Sequence, residues 1–177
     1  MLYPERPTSV GGGETRTGLT RLHRTRQTCY LTWYATDLEI VRVSCRPQRV
    51  VACVVSRGEL LLLAQRPPHK RHGGLWEFPG GKAEANESDE SAAARELQEE
   101  LGVQLVQASP PIFEIADEGS PYVIAFVPVE IQGEPVTTEH SRIIWGLPIE
   151  LAKLALAPSD EAFLQWILTR QSSTGHG

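Results

Sequence analysis

The segment from residue 80 to residue 103, GGKAEANESDESAAARELQEELGV, constrains this chain more than any other part of it. Its pattern predicts a helix from Ser88 to Leu101, with Asn86 or Ser88 as the N-cap and Gly102 as the stop. Apolar residues recur every four positions along this helix and form one face. We expect that face to pack on a β-sheet, so the helix belongs to a layered domain.

Three glutamates, Glu96, Glu99 and Glu100, share another face near the C-terminal end of the same helix. Like charges at this spacing repel each other, and the negative end of the helix dipole disfavours them further. One explanation is a solvated acidic surface. The other is a site for Mg²⁺ or Mn²⁺, which prefer oxygen ligands of this kind.

The charge of the chain is unevenly distributed. Residues 1–48 contain seven Arg, no Lys and four acidic residues, whereas residues 49–177 carry a net charge of −8 within the total of −5. Such an acidic body lacks the basic face that duplex DNA or a membrane surface requires, so we expect neither as a partner. The three cysteines show no disulfide framework and no zinc-type spacing.

We expect a soluble cytoplasmic protein, because no apolar run approaches the length of a membrane span. The Arg-rich start also resembles an organellar targeting segment, which is the less favoured alternative. Residues 1–28 contain few large apolar side chains, so we predict disorder there, within an N-terminal extension of residues 1–48. Residues 29–43, CYLTWYATDLEIVRV, have β-type composition and are an open candidate for a strand.

From residue 49 the patterns are stronger. Five segments predict strands: VVACVVS, ELLLLAQ, PIFEIAD, YVIAFVPVEI and RIIWG. Two more predict helices: PIELAKLAL and DEAFLQWILTR. This order predicts an α/β fold, an α/β/α sandwich with a mixed β-sheet over residues 49–170, followed by a flexible tail at 171–177.

The acidic helix lies in a longer pattern: Gly81, five residues, Glu87, seven residues, and then RELQEELGV at residues 95–103. This pattern resembles the signature box of the Nudix hydrolases at every fixed position. LWEFPGGK before the box, and EH with WGLPIELAKLALAPSDEAFL after it, resemble the MutT branch of that family. The resemblance covers about residues 49–170. It implies a Nudix-type sandwich and favours the metal explanation for the glutamates.

The resemblance implies metal-dependent hydrolysis of a nucleoside triphosphate to the monophosphate and pyrophosphate. It implies Mg²⁺ as the cofactor, with Mn²⁺ as a substitute. The implied ligands are Glu96, Glu99, Glu100, Glu139 and the backbone carbonyl of Gly80. Glu99 and Glu139 are both candidate general bases, and the choice stays open because a base is recognised by its distance from the attacking water.

Further roles follow from the same resemblance. Glu87 and Arg95 would pair and orient the glutamates, as residues behind the metal ligands. Phe78 would stack on the base. Arg66 would meet the phosphates or the ribose, unless it belongs to an exposed basic loop. Asp160 would read the base edge or cap the last helix, and the two roles can coexist.

The expected substrate follows from Asp160, because an ionised carboxylate offers only hydrogen-bond acceptors. It should favour 8-oxo-dGTP, whose base has an N7–H donor, and this activity would sanitise the nucleotide pool. CTP or a modified cytidine triphosphate is the alternative, and a catalytically inactive Nudix-like nucleotide-binding module is the alternative from another class. We interpret His140 as a surface or loop residue and Tyr122 as a core strand residue. The oligomeric state stays unknown.

Overall fold

The computed structural model describes residues 18–24, 27–33, 47–116 and 121–174. The chain divides into two compact units, Met1–Arg46 and Pro47–Gly177. Among the described residues, no helix has the length and apolar character needed to span a bilayer.

In the first unit, β1 (Gly18–Arg24) and β2 (Gln27–Trp33) form an antiparallel pair. β2 includes residues 29–33 of the open strand candidate at 29–43, and the rest of that range lies outside the described residues. The pair also covers part of the stretch predicted to be disordered, residues 1–28. That prediction considered apolar side chains only, whereas a strand pair is also held by its backbone hydrogen bonds. Residues 1–17 and 25–26 lie outside the described residues.

The described residues of the second unit, 47–116 and 121–174, form one sheet and three helices. The strands are β3 (Gln48–Arg57), β4 (Leu60–Gln65), β5 (Trp76–Glu77), β6 (Gly80–Lys82), β7 (Gln104–Ala108), β8 (Phe113–Ala116), β9 (Tyr122–Gln132) and β10 (Arg142–Gly146). The helices are α1 (Asp89–Leu101), α2 (Pro148–Leu151) and α3 (Pro158–Thr174).

The sheet is mixed, as predicted. Its main path runs β10-β4-β3-β9-β7, while β5 pairs with β4, β6 with β3 and β8 with β9. β3 and β9 are parallel, and the other pairs are antiparallel. β3 therefore lies at the centre of the sheet, and the short β6 puts Gly80 beside Ala52 of β3.

Helices cover both faces of the sheet. Alternate residues of β3 point to opposite sides, so this strand contributes to a buried cluster on each face. Val51, Cys53 and Val55 belong to one buried cluster, which includes Leu97 and Leu101 of α1. The next residues along the strand, Ala52 and Val54, belong to a second cluster. That cluster includes Leu151 of α2 and Phe163 of α3. The predicted α/β/α sandwich is thus the observed architecture.

The helix ends follow the local sequence. Ser88 is the N-cap of α1, and its side chain accepts a hydrogen bond from the backbone N–H of Ser91. Gly102 ends the helix with a φ of 65°, a left-handed conformation that glycine adopts without strain. α3 continues to Thr174, into the stretch predicted to be a flexible tail, and residues 175–177 lie outside the described part of the chain.

Candidate active site

A cavity of about 630 Å³ lies where β3, β6, the end of α1 and the start of α3 meet. Its wall combines charges of both signs. The charged side chains that line it include Arg66, Arg71, Lys82, Glu77, Glu100 and Asp160. A cavity of this size holds a nucleotide-sized ligand.

The three glutamates of α1 differ in burial. The side chains of Glu96 and Glu100 are only 13% and 12% exposed, whereas Glu99 is exposed to solvent. Glu100 Oε2 accepts a hydrogen bond from the backbone N–H of Gly80 at 2.8 Å. Burial raises the pKa of the Glu100 carboxyl to about 7, and the negative charge of Glu96 adds to that effect.

Gly80 and Gly81 are close to the site for different steric reasons. Gly80 has a φ of 147°, and a Cβ there would clash with the backbone carbonyl oxygen of Val51. A Cβ on Gly81 would clash with the carboxylate of Glu96. The absence of side chains at both positions lets this loop lie against α1.

Arg95 joins the loop before α1 to the glutamates. Its Nε and Nη2 donate to the two carboxylate oxygens of Glu87 at 3.2 and 3.0 Å, and its Nη1 donates to Glu96 at 2.8 Å. Nη2 also donates to the backbone carbonyl of Lys82 at 3.0 Å. The pairing of Glu87 with Arg95 is therefore present. It lowers the pKa of Glu87, chiefly through the hydrogen bond from Arg95.

The predicted metal ligands are not all brought together. Glu139 is 50% exposed, and its carboxylate pairs with Lys70 Nζ at 2.8 Å. The nearest cation to the Glu99 carboxylate is Arg95, at 3.5 Å. Within the described parts of the chain, no three His, Cys, Asp or Glu side chains are grouped closely enough to hold a metal ion. Of the five predicted ligands, Glu96, Glu100 and Gly80 are in the same corner of the site.

That corner nevertheless has the chemistry that a divalent cation needs. The carboxylates of Glu96 and Glu100 are both largely buried, and like-charge repulsion between them contributes to the raised pKa of Glu100. Their field reaches the thiol of Cys53, whose pKa is raised by burial first and then by Glu100 and Glu96. A hard cation would convert this repulsion into attraction. The donor set therefore fits Mg²⁺ or Mn²⁺.

His140 is a residue whose importance the sequence did not reveal. Its side chain is 4% exposed, so the interpretation as a surface residue is wrong, whereas the loop alternative is right, because the residue lies between β9 and β10. Its Nε2 lies 3.1 Å from Glu77 Oε1 and 3.8 Å from Glu100 Oε1. The ring nitrogen Nε2 is thus near two carboxylates of the cavity wall. The only local signal was its position directly after Glu139.

Glu77 was also missed, although it follows Trp76 in a segment that the resemblance had singled out. It occupies the second position of β5 and lines the cavity. Its Oε2 accepts a hydrogen bond from Arg66 Nη1 at 2.5 Å, while Arg66 Nε donates to the backbone carbonyl of Arg71. Arg66 thus lines the cavity with one side of its guanidinium already bonded, and its contact with the phosphates or the ribose stays a prediction.

Asp160 is 5% exposed and lies inside the first turn of α3, which begins at Pro158. It is therefore not the N-cap, contrary to one of its two predicted roles. Its Oδ1 accepts from the backbone N–H of Phe78 at 2.7 Å, and its Oδ2 accepts from the hydroxyl of Ser159 at 3.0 Å. Burial raises the pKa of Asp160 to about 7, with an additional contribution from the charge of Glu77.

The ring of Phe78 is buried, which does not agree with its predicted stacking on a base. It packs edge-on against Phe126 and Phe163, with ring centroids 5.7 and 5.3 Å apart. The backbone of Phe78 is what reaches Asp160. Tyr122, predicted to be in the core, is half-buried and lines the cavity, with Lys82 Nζ 4.7 Å from its ring centroid.

Comparisons with known proteins identify the family of the chain. A family model described as the NUDIX domain matches residues 46–167. The CTP pyrophosphohydrolase of Escherichia coli K12 is 37% identical over 119 residues, which are 66% of this chain and 87% of the relative. The 8-oxo-dGTP diphosphatase of Proteus vulgaris is 53% identical over 49 residues, 28% of this chain and 44% of the relative.

Among solved structures, a NUDIX hydrolase has a similar fold. The crystal structure of a MutT NUDIX hydrolase from Burkholderia pseudomallei superposes with a TM-score of 0.60 at 27% sequence identity. The superposition covers 67% of this chain and 96% of that one. The residues that the family model matches, 46–167, lie almost entirely in the second unit of the chain.

Proposed function

This chain belongs to the NUDIX domain family and is a hydrolase of nucleotide anhydrides, and we propose that it cleaves a nucleoside triphosphate to the monophosphate and pyrophosphate. We propose that it requires a divalent cation and that its substrate is 8-oxo-dGTP, so that it sanitises the nucleotide pool. The observation that carries the proposal is the cavity wall, where carboxylates, cationic side chains and the buried Asp160 meet.

The cationic part of the wall suits a polyphosphate. Arg66, Arg71 and Lys82 all line the cavity. Phosphoryl transfer requires that the charge on the phosphates be neutralised and that the reacting groups be positioned. Glu100 in the same wall would repel phosphate unless a cation lay between them. The charges of the cavity wall therefore complement a triphosphate with a bound divalent cation better than they complement a metal-free triphosphate.

Glu96, Glu99 and Glu100, together with the carbonyl of Gly80, are the residues that would hold Mg²⁺ or Mn²⁺. A cation bound there would neutralise phosphate charge and lower the pKa of a bound water. Glu139 would complete this set as a further carboxylate. The contribution of the protein itself is orientation, since Arg95 restrains the glutamate side chains from one side.

We assign the role of general base to Glu99, of the two predicted candidates. Glu99 belongs to the same helical turn as Glu100, so its position relative to the ligand set is determined by α1. Glu139 is half exposed, and its hydrogen bond with Lys70 lowers its pKa, which makes it a weaker proton acceptor.

Asp160 supports 8-oxoguanine as the nucleobase of the substrate. Its carboxylate already accepts from Phe78, from Ser159 and from its own backbone N–H, which leaves capacity for about one further donor. The ionised form would accept from the N7–H of 8-oxoguanine and repel the bare N7 of guanine. An unpaired buried polar group costs about 1–3 kcal/mol, which corresponds to roughly tenfold to hundredfold discrimination.

The second candidate substrate is CTP. The N4 amine of cytosine is also a donor to an ionised Asp160. Because the pKa of Asp160 is raised to about 7, its protonated form is also present near neutral pH and can donate to an acceptor such as cytosine N3. The relative with 37% identity is named as a CTP pyrophosphohydrolase, which adds to the case.

The experiment compares catalytic efficiencies of the purified protein for 8-oxo-dGTP, dGTP and CTP with Mg²⁺, and it separates pyrophosphate from phosphate. We expect pyrophosphate as the product, a requirement for the metal, and the highest kcat/KM for 8-oxo-dGTP. A higher kcat/KM for CTP would replace the first candidate by the second. Release of phosphate alone would refute the proposed reaction.

The site assignment has its own controls. Glu99→Gln and Glu100→Gln should each reduce kcat by at least roughly a hundredfold, because each removes a carboxylate from the proposed site. Glu90→Gln is the matched control, since it removes an exposed carboxylate from the first turn of the same helix. Turnover like that of the wild type in either site variant at saturating Mg²⁺ would refute the site.

A further inference from the structure

The carboxylate of Glu77 is held at both of its oxygens. Arg66 Nη1 donates to Oε2 at 2.5 Å, and His140 Nε2 lies 3.1 Å from Oε1. A glutamate bound through one oxygen rotates broadly about its last torsion angle, because that torsion has no sharp minima. Bonds at both oxygens determine the plane of the carboxylate within the cavity wall.

Arg66 and His140, the two anchors of the Glu77 carboxylate, are each held next to β4. Arg66 follows directly after the last residue of that strand, and its backbone N–H donates to the carbonyl of Leu75 at 2.9 Å. On the other side, the N–H of Ser141, the residue after His140, donates to the carbonyl of Gln65 at 2.9 Å. The two anchors therefore have little freedom relative to Glu77, whose strand also pairs with β4.

The burial of His140 is not explained by packing. An ionised carboxylate accepts but does not donate, so Nε2 carries the proton that is shared with Glu77. In a neutral ring Nδ1 is then a bare acceptor, and it is buried without a hydrogen-bond partner among the residues that the structure describes. Such a group destabilises a fold, and an apolar side chain would fill the same space without that penalty. A function of Nε2 in holding Glu77 explains why a histidine, and not an apolar residue, occupies this position.

Glu77 lies between the two ends of the proposed substrate site. Glu77 directly precedes Phe78, whose backbone N–H donates to Asp160, the proposed base reader, at 2.7 Å. His140, its partner, lies 3.8 Å from Glu100 at the proposed phosphate end. A carboxylate at this place in the cavity wall would face the nucleoside part of a nucleotide bound in the proposed orientation.

We propose that His140 is a positioning residue, which with Arg66 orients the carboxylate of Glu77 as a hydrogen-bond acceptor for the nucleoside of the substrate. This inference rests on the proposed function, because it requires that a nucleotide occupies the cavity. It assigns His140 a role in substrate binding, exerted through Glu77, and no role in the chemical step.

The test is a set of His140 variants assayed with the best substrate at saturating Mg²⁺. His140→Ala should raise KM roughly tenfold, the effect of one misplaced hydrogen bond, and change kcat by less than about threefold. His140→Gln places an amide nitrogen near the position of Nε2 and should restore KM to within about threefold of the wild type. His140→Asn, whose shorter amide mimics Nδ1, should not restore it and serves as the matched control.

A double-mutant cycle with Glu77→Ala isolates the interaction. If His140 acts through Glu77, His140→Ala should have no further effect on KM in the Glu77→Ala background. A KM that rises by the same factor in both backgrounds would overturn the proposal. So would a fall in kcat at unchanged KM, which would mean that His140 acts through Glu100. A lower melting temperature with an unchanged KM would indicate a packing role only.

A second measurement does not depend on hydrolysis. Nitrogen NMR of histidine-labelled protein without metal should show His140 protonated at Nε2, with a resonance that shifts in Glu77→Ala. A proton at Nδ1, or a resonance that does not respond to Glu77→Ala, would overturn the proposed anchor. If the wild type hydrolyses no nucleotide, the proposed function fails, whereas this measurement still decides whether His140 holds Glu77.

Discussion

Replacing Asp160 by Asn should make the stability of the protein less sensitive to pH. Asn has nearly the same shape, and its carbonyl oxygen can accept the hydrogen bond from the backbone N–H of Phe78 that Asp160 Oδ1 accepts at 2.7 Å. The substitution therefore removes the ionisable group and keeps the contact between α3 and the strand segment at Phe78. What changes is the cost of a buried negative charge.

The magnitude follows from the pKa of Asp160, which burial raises from an ordinary value of 3.8 to about 7. The folded state binds this proton more tightly than the unfolded state does, so ionisation costs the folded state free energy. The free energy of unfolding of the wild type therefore falls as the pH rises from about 4 to about 7, and it levels off above that range. Three pH units correspond to about 4 kcal/mol, of which about 3 kcal/mol falls between pH 5 and pH 8.5.

The assay is urea denaturation of wild type and Asp160→Asn at pH 5 and pH 8.5 with a chelator present. Glu100, whose pKa burial also raises to about 7, is present in both proteins, so its contribution cancels in the difference. The free energy of unfolding of the variant minus that of the wild type should be about 3 kcal/mol larger at pH 8.5 than at pH 5. Glu161→Gln, an exposed position in the same turn, controls for the loss of one carboxylate. A relative stability that changes by less than about 0.5 kcal/mol would refute the reasoning.

Three substitutions test the α1 side of the site. Gly81→Ala introduces a Cβ that displaces the side-chain carboxylate of Glu96 and no backbone atom, so the melting temperature should change little while kcat falls roughly a hundredfold. A normal kcat would contradict that contact. In Arg95→Lys the lysine cannot form two parallel hydrogen bonds to Glu87, so kcat should fall roughly tenfold to a hundredfold in a steady-state assay. An unchanged kcat would mean that the pair has no orienting role. Leu97→Ala removes a fully buried side chain and should lower the free energy of unfolding in urea by about 2–5 kcal/mol, whereas a loss below about 1 kcal/mol would place Leu97 outside the core.

Much of the local structure could be predicted from the sequence because it depends on neighbours along the chain. The limits of α1 follow from Ser88 and Gly102, which cap it through their own backbone and side-chain preferences. The alternation of residues in β3 and the spacing of Leu97 and Leu101 on α1 predict which faces are buried. The pairing of Glu87 with Arg95 was also accessible, since loop and helix are adjacent in the chain.

The sequence by itself therefore determined the sandwich, the acidic helix and the family, because these depend on periodicity, caps and spacing within short segments. The tertiary structure alone decided which charges are buried together. His140 and Glu77 are 63 residues apart in the chain, and so nothing in either local pattern indicates their contact. Phe78 and Asp160 are 82 residues apart, and their hydrogen bond depends on how α3 packs against the sheet. Burial sets the pKa values of Asp160 and Glu100, and burial is a property of the packed fold, to which distant parts of the chain contribute.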